Sequence, residues 1–216
     1  MNLYPILCEN YNEISRTFYD KYKAGIEKYR DSGCIWDFYE HTPEENYDYR
    51  KTRRDTYNSA LGAIVFQAIA VEAFVNLFGA YRLGDEVFYS DIEKTGATTS
   101  DKLKNIYRRL YGGNYPTNTV EYNRLMSLLN KRNRIVHTKP KALSMQDEEI
   151  TPNYGVFMEQ VDFIFSNIDD EMKSYETLKR TIRELENKEC DLIHEIDKEI
   201  EQALKEGITS MINSVF

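Results

Sequence analysis

Residues 51–82 constrain this chain more than any other stretch. The segment opens polar (KTRRDTYNS) and turns apolar almost all round over Leu61–Tyr81. A helix that is apolar on every side needs neighbours on several sides. The segment therefore predicts one long central helix. It is long enough to span a bilayer, but Gln67, Glu72 and Asn76 interrupt it, and an ionisable residue at mid-membrane is costly. A buried helix in a cytoplasmic, non-membrane protein is the expectation. The N-terminus MNLYPILCENYNE has no basic stretch and turns polar by Glu9, which does not fit a signal peptide.

The rest of the chain supports an all-α fold class. Strand-like alternation is scarce, and apolar residues recur at helical spacing. Seventeen tyrosines and ten phenylalanines in 216 residues argue for an ordered interior. Residues 3–30 predict a helix with a break near Asn12. Residues 31–50 read as a loop pinned to the core by Trp36, Phe38 and Tyr39. Gly84 stops the central helix, and 85–99 reads as irregular. Ser100 and Asp101 open a short helix over Lys102–Tyr111, and Gly112–Pro116 is a turn. Thr119 or Asn118 caps the next helix, which runs to about His137. Its stripe of Leu125, Leu128, Leu129, Ile135 and Val136 faces inward, and Pro140 ends it.

After a loop at 141–150, Thr151-Pro152 opens a helix whose apolar face is Phe157, Val161, Phe163, Ile164 and Ile168. From about Asp170 to Ser210 the chain is charged and periodic. Tyr175, Leu178, Ile182, Leu185, Leu192 and Ile196 make a stripe, interrupted by Glu189. Two arrangements fit it equally, a short coiled coil or a helix docked on the body. The expected organisation is an N-terminal helix and aromatic loop (1–50), a helical core (51–170) and an acidic helical extension (171–216).

Charge is unevenly distributed. The net charge is −8, yet residues 142–216 carry −11 and residues 1–141 carry +3. Val120–Lys141 holds Arg124, Lys131, Arg132, Arg134, Lys139 and Lys141 against Glu121 alone, a net of +5. Such a segment suits a local anion site, because fields decay over roughly 8–10 Å in physiological salt. It equally suits a solvated helix face that balances the acidic half, and charge alone favours the latter.

No phosphate loop, dinucleotide fingerprint, HExxH zinc motif or GxSxG elbow occurs. The cysteines Cys8, Cys34 and Cys190 are far apart and suit reduced thiols. His194, with Asp191, Glu195 and Asp197, lacks a second His or Cys to complete a ligand set and reads as a solvated helix face. No metal or cofactor is expected.

The run Lys131-Arg132-Asn133-Arg134-Ile135-Val136-His137 differs. Asn133 and His137 lie one helical turn apart on one face, and the long Arg132 side chain can bend toward the same edge. Imidazole titrates near pH ~6.5 and serves as base or acid. Guanidinium binds phosphate bidentately and stays charged. The amide can orient a proton. Together these groups suit attack by a ribose 2′-OH on its own phosphate. The same histidine also has a purely structural use, a favourable contact with the helix dipole.

Arg132 to His137 resembles the R-x4-6-H motif of the HEPN superfamily, including the polar residue after the arginine. Ala68–Asn76 is similar to the central apolar helix of many bacterial members, and the order of elements over roughly 51–170 agrees. The resemblance implies a HEPN-like helical bundle that forms a homodimer, with Arg and His from both chains meeting across a cleft. It further implies a metal-independent endoribonuclease acting on RNA in a toxin–antitoxin or phage-defence role, with an antitoxin or defence-system partner. On it, Arg132 and His137 are catalytic and Asn133 supports them. Arg134 and Lys139 are expected to hold RNA phosphates on charge and proximity alone. Glu72 and Asn76, one turn apart, read either as a buried polar pair that fixes packing or as support behind the motif. The alternatives are a non-catalytic helical module for dimerisation, partner or ligand binding, and a regulatory subunit whose acidic tail mimics nucleic acid.

Overall fold

The computed structural model describes residues 4–31, 43–93, 96–137, 161–186 and 198, and among them every regular element is helical. The chain opens with two long helices, α1 (Tyr4–Asp31) and α2 (Pro43–Leu83). At 1.5 Å per residue they run about 42 and 60 Å. They pair antiparallel: the Ser15 hydroxyl donates to the Ala63 carbonyl at 2.8 Å, and Lys28 reaches Thr52. Small residues set the separation. A methyl group on Gly25 would stand 2.9 Å from Thr56 Cβ, and one on Gly62 would stand 2.8 Å from the Phe18 ring.

α1 is continuous through Asn12, where a break was expected. Asn12 is buried, and its amide donates to Glu176 at 3.2 Å, so a polar residue that would weaken an exposed helix is satisfied across the fold. α2 begins at Pro43, inside the segment read as a loop. Proline in a first turn forfeits no helical hydrogen bond. Trp36, Phe38 and Tyr39 lie outside the described residues.

α2 packs against every other labelled element. Ile64, Val71, Phe74, Val75 and Phe78 are buried along it, and Gln67 donates to the Met172 carbonyl at 3.1 Å. By length and composition Arg50–Leu83 could cross a membrane, but 56% of its apolar window is buried against neighbouring helices. Gly84, at φ +83°, ends it.

Of the stretch 85–99, expected to be irregular, 85–93 is helical, whereas 96–98 carry no helix. A short α3 (Asp85–Val87) runs into a π-turn (Phe88–Ile92) that turns Phe88 and Ile92 inward. Gly79 makes this possible: a methyl group there would lie 2.5 Å from the Phe88 ring and 2.7 Å from Ile106. Gly79→Ala should therefore destabilise by up to about 2 kcal/mol. Overpacking costs ~1–3 kcal/mol and the gain in helix propensity recovers about 1. Urea unfolding measures the balance, and a stabilised variant would show that the ring and Ile106 give way.

α4 (Thr99–Tyr111) starts earlier than Ser100-Asp101 suggested. Thr98 caps it, accepting from the Asp101 N–H at 3.2 Å and donating to that carboxylate at 2.7 Å. Ser100 instead is buried, 2.9 Å from the Tyr122 hydroxyl. Gly112, left-handed at φ +70°, closes α4.

α5 (Val120–Val136) is capped by Thr119, which accepts from the Tyr122 N–H at 3.1 Å. Residues 161–165 are helical. A turn with Asn167 at φ +59° leads to α6 (Ile168–Glu171) and then α7 (Ser174–Leu185). α7 docks on the body. Tyr175, Leu178 and Ile182 are buried, and Glu9 of α1 accepts from Tyr175 at 3.0 Å and Lys179 at 2.7 Å. Of the two arrangements open for the stripe, docking holds for 174–185. A boundary at residue 170 would cut through this core. Leu192, Ile196 and the start of the helix expected to open at Thr151-Pro152 lie outside the described residues; its stretch 161–165 is helical, and the turn at Asn167 interrupts it before Ile168.

Candidate functional site

The end of α5 carries the motif. Arg132 is half-buried, with 29% of its side chain exposed, while Asn133 and His137 are exposed. One guanidinium nitrogen donates to Asn133 Oδ1 at 3.0 Å. Another lies 3.8 Å from Glu72 Oε2, an ion pair too long for a hydrogen bond. His137 caps the helix C-terminus, and its backbone N–H donates to the Asn133 carbonyl at 2.9 Å. The Asn133 amide oxygen is thus engaged by Arg132.

Glu72 and Asn76 share a face of α2 but serve different cations. Glu72 faces Arg132 of α5, whereas Asn76 accepts from Lys102 of α4 at 3.1 Å. Lys102 also pairs with Glu93. The two residues therefore tie α2 to two different helices.

Val136 was expected to face inward and does not; it is 51% exposed. The inward line of α5 runs through Leu125, Leu128, Lys131 and Ile135, and position 136 lies a further ~100° around the helix. Lys131, counted by charge among the anion-binding cations, is 3% exposed. Its ammonium meets Glu171 at 2.9 Å and the Ile164 carbonyl at 3.3 Å, and also reaches the Ser166 carbonyl. Ser127 donates to the other Glu171 oxygen at 2.6 Å. Burial pushes the Glu171 carboxyl above its usual range, with the Ser127 and Lys131 hydrogen bonds opposing. Sequence reasoning missed this cluster. Its signal was a lysine at an inward position of an apolar stripe.

No family model, curated protein or solved structure matches this chain.

The other described cations of the basic segment are also engaged. Arg124 pairs with Asp170 at 3.2 Å, and the Arg134 guanidinium lies 4.2 Å from the centre of the Phe163 ring. Within the described residues, the segment mostly answers carboxylates of α2 and α6. Lys139 and Lys141 lie outside those residues. So do His41, His194, Asp191, Glu195 and Asp197, as well as Cys34 and Cys190. Among the described residues no group of three His, Cys, Asp or Glu side chains is placed to hold a metal ion. Cys8 is buried, and burial beside Glu9 pushes its thiol up to about 12, which leaves it unreactive at neutral pH.

Proposed function

We propose that the end of α5 is the working site of a HEPN-like, metal-independent endoribonuclease. One observation carries the reading. Arg132 is held half-exposed between Asn133 and Glu72, on the helix whose C-terminus presents an exposed His137. A guanidinium fixed at a rim is ready to meet phosphate without first being drawn out of the core.

In this mechanism one imidazole takes the proton of a ribose 2′-OH. The oxygen attacks the adjacent phosphorus, the bond from phosphorus to the 5′-oxygen breaks, and the leaving oxygen takes a proton. The products are a 2′,3′-cyclic phosphate and a 5′-hydroxyl. Arg132 neutralises the charge that builds on the phosphoryl oxygens. A second copy of the chain, as a homodimer, would supply the second imidazole as acid. The substrate is RNA, and the setting is toxin or phage defence with a controlling partner.

The test is cleavage of mixed RNA in EDTA. Arg132→Ala and His137→Ala should each lose activity by about 10²-fold or more. Because His137 is exposed, its substitution should leave stability within about 0.5 kcal/mol. Equal cleavage by all three proteins removes the proposal.

A second reading keeps one specific support. Arg124, Lys131 and Arg132 all face carboxylates, which leaves α5 short of charge for phosphate. On that reading the chain is a non-catalytic helical module that binds a partner. Loss of stability in His137→Ala, with no cleavage by wild type, would favour it.

A further inference from the structure

With Arg124, Lys131 and Arg132 of α5 each facing a carboxylate, most of a grip on a polyanion has to come from elsewhere. A groove of about 520 Å³ between α1 and α7 gathers Arg16, Lys173, Arg180 and Arg183 along its walls. Met172 and Thr177 lie between them, and Glu176 is its one acid. We propose that this groove binds the phosphate backbone of a single-stranded RNA. The identity of the polyanion rests on the ribonuclease reading; the groove itself does not.

Charge counting alone does not decide the matter. Arg16 faces Glu13 and Glu176, Lys173 faces Asp170, and Arg180 faces Glu184. Exposure decides it. The side chains of these four pairs are between 43 and 69% exposed, and ion pairs so wetted contribute little and are screened by salt. Glu176 stays on the buried Asn12 amide and Asp170 is shared with Arg124, but the Glu13 and Glu184 carboxylates can swing aside for a phosphate. The Lys131–Glu171 pair, 3% and 1% exposed, cannot.

The groove is also rich in arginine. Three of its four cations are guanidinium groups, whose planar fork meets phosphate oxygens in pairs. They come from two helices that Asn12–Glu176 and Tyr175–Glu9 hold in fixed register, so the array is pre-organised. Asp170 accepts from Lys173 at 3.0 Å and pairs with Arg124 of α5. That shared carboxylate joins the groove to the helix that carries Arg132 and His137.

The experiment uses the full chain and a fluorescein-labelled 2′-O-methyl RNA oligomer, which lacks the attacking hydroxyl and cannot be cut. Anisotropy is followed across a salt series. Three to four phosphate contacts predict a slope of log K against log salt of about −2 to −3. Arg180→Ala with Arg183→Ala should weaken binding more than tenfold at low salt and reduce the slope by about 1.4. Thermal melts check that this surface variant is folded. A folded variant that binds as tightly as wild type overturns the proposal. So does a wild type that leaves the oligomer unbound at low salt, or one that binds polyglutamate equally well. Cleavage of unmodified RNA is scored separately. A chain that binds through the groove but cuts nothing removes the ribonuclease reading and leaves the groove standing.

Discussion

Lys131→Met should lower the stability of this protein by about 3–5 kcal/mol, the usual cost of removing one partner of a buried ion pair. The substitution keeps most of the apolar stem, ends one atom short of the ammonium and deletes the charge. Glu171 is then left in the core with Ser127 as its remaining hydrogen-bond donor, and the Ile164 and Ser166 carbonyls lose their shared donor. Urea unfolding reads the loss. Adding Glu171→Leu should restore much of it, because an apolar pair avoids the desolvation of two charges. The pH dependence has a definite sign. The Glu171 carboxyl sits above its ordinary value in the folded chain. Its protonated form therefore stabilises the fold at low pH, and that contribution is lost as pH rises through the folded value. Without the ammonium the shift grows. Lys131→Met should lose stability more steeply than wild type as pH climbs above the ordinary carboxylate range. Parallel pH curves for the two proteins would show that the pair is not coupled.

The second large effect falls on α7. Tyr175→Ala should destabilise by about 3–5 kcal/mol, as for other buried aromatic truncations. The ring is buried and packs edge-on against Phe74 of α2 at 5.7 Å. Its hydroxyl donates to Glu9 of α1, and burial beside that carboxylate raises its pKa strongly. One side chain thus ties three helices. Tyr175→Phe keeps the ring and should cost only about 1 kcal/mol, the net worth of one hydrogen bond. Unfolding midpoints that move equally for both variants would place the effect in the hydroxyl rather than in packing.

The long-range half of the fold was partly legible in sequence. The all-round apolar run of α2 announced its central place, and the Thr119 cap and Gly84 stop stood where local chemistry put them, because each depends on nearest neighbours only. What escaped was set across the fold. Asn12 looked like a helix breaker because its partner Glu176 is 164 residues away. The segment after Gly84 looked irregular because the π-turn depends on Phe88 fitting against Gly79. At the motif, the order Arg132, Asn133, His137 and their place at a helix end were visible in spacing alone. The link from Arg132 to Glu72 was only one of two options, since helical phase does not say which neighbour a side chain will meet. The basic segment misled for the same reason: counting charge ignores that Lys131 points inward and that Asp170 and Glu171 wait there.

The clasp between the first and last described helices bears on how the chain is made. α1 and α7 are joined by contacts spanning 164 to 170 residues. Roughly 100 residues separate the end of α2 from Ile182, so at ~5–20 residues per second the early hairpin waits about 5–20 s on the ribosome before its last partner emerges. During that interval the trough meant for Tyr175, Leu178 and Ile182 is open to other chains. Nascent protein paused before residue 175 should accordingly bind general hydrophobic-surface chaperones more than the finished chain does.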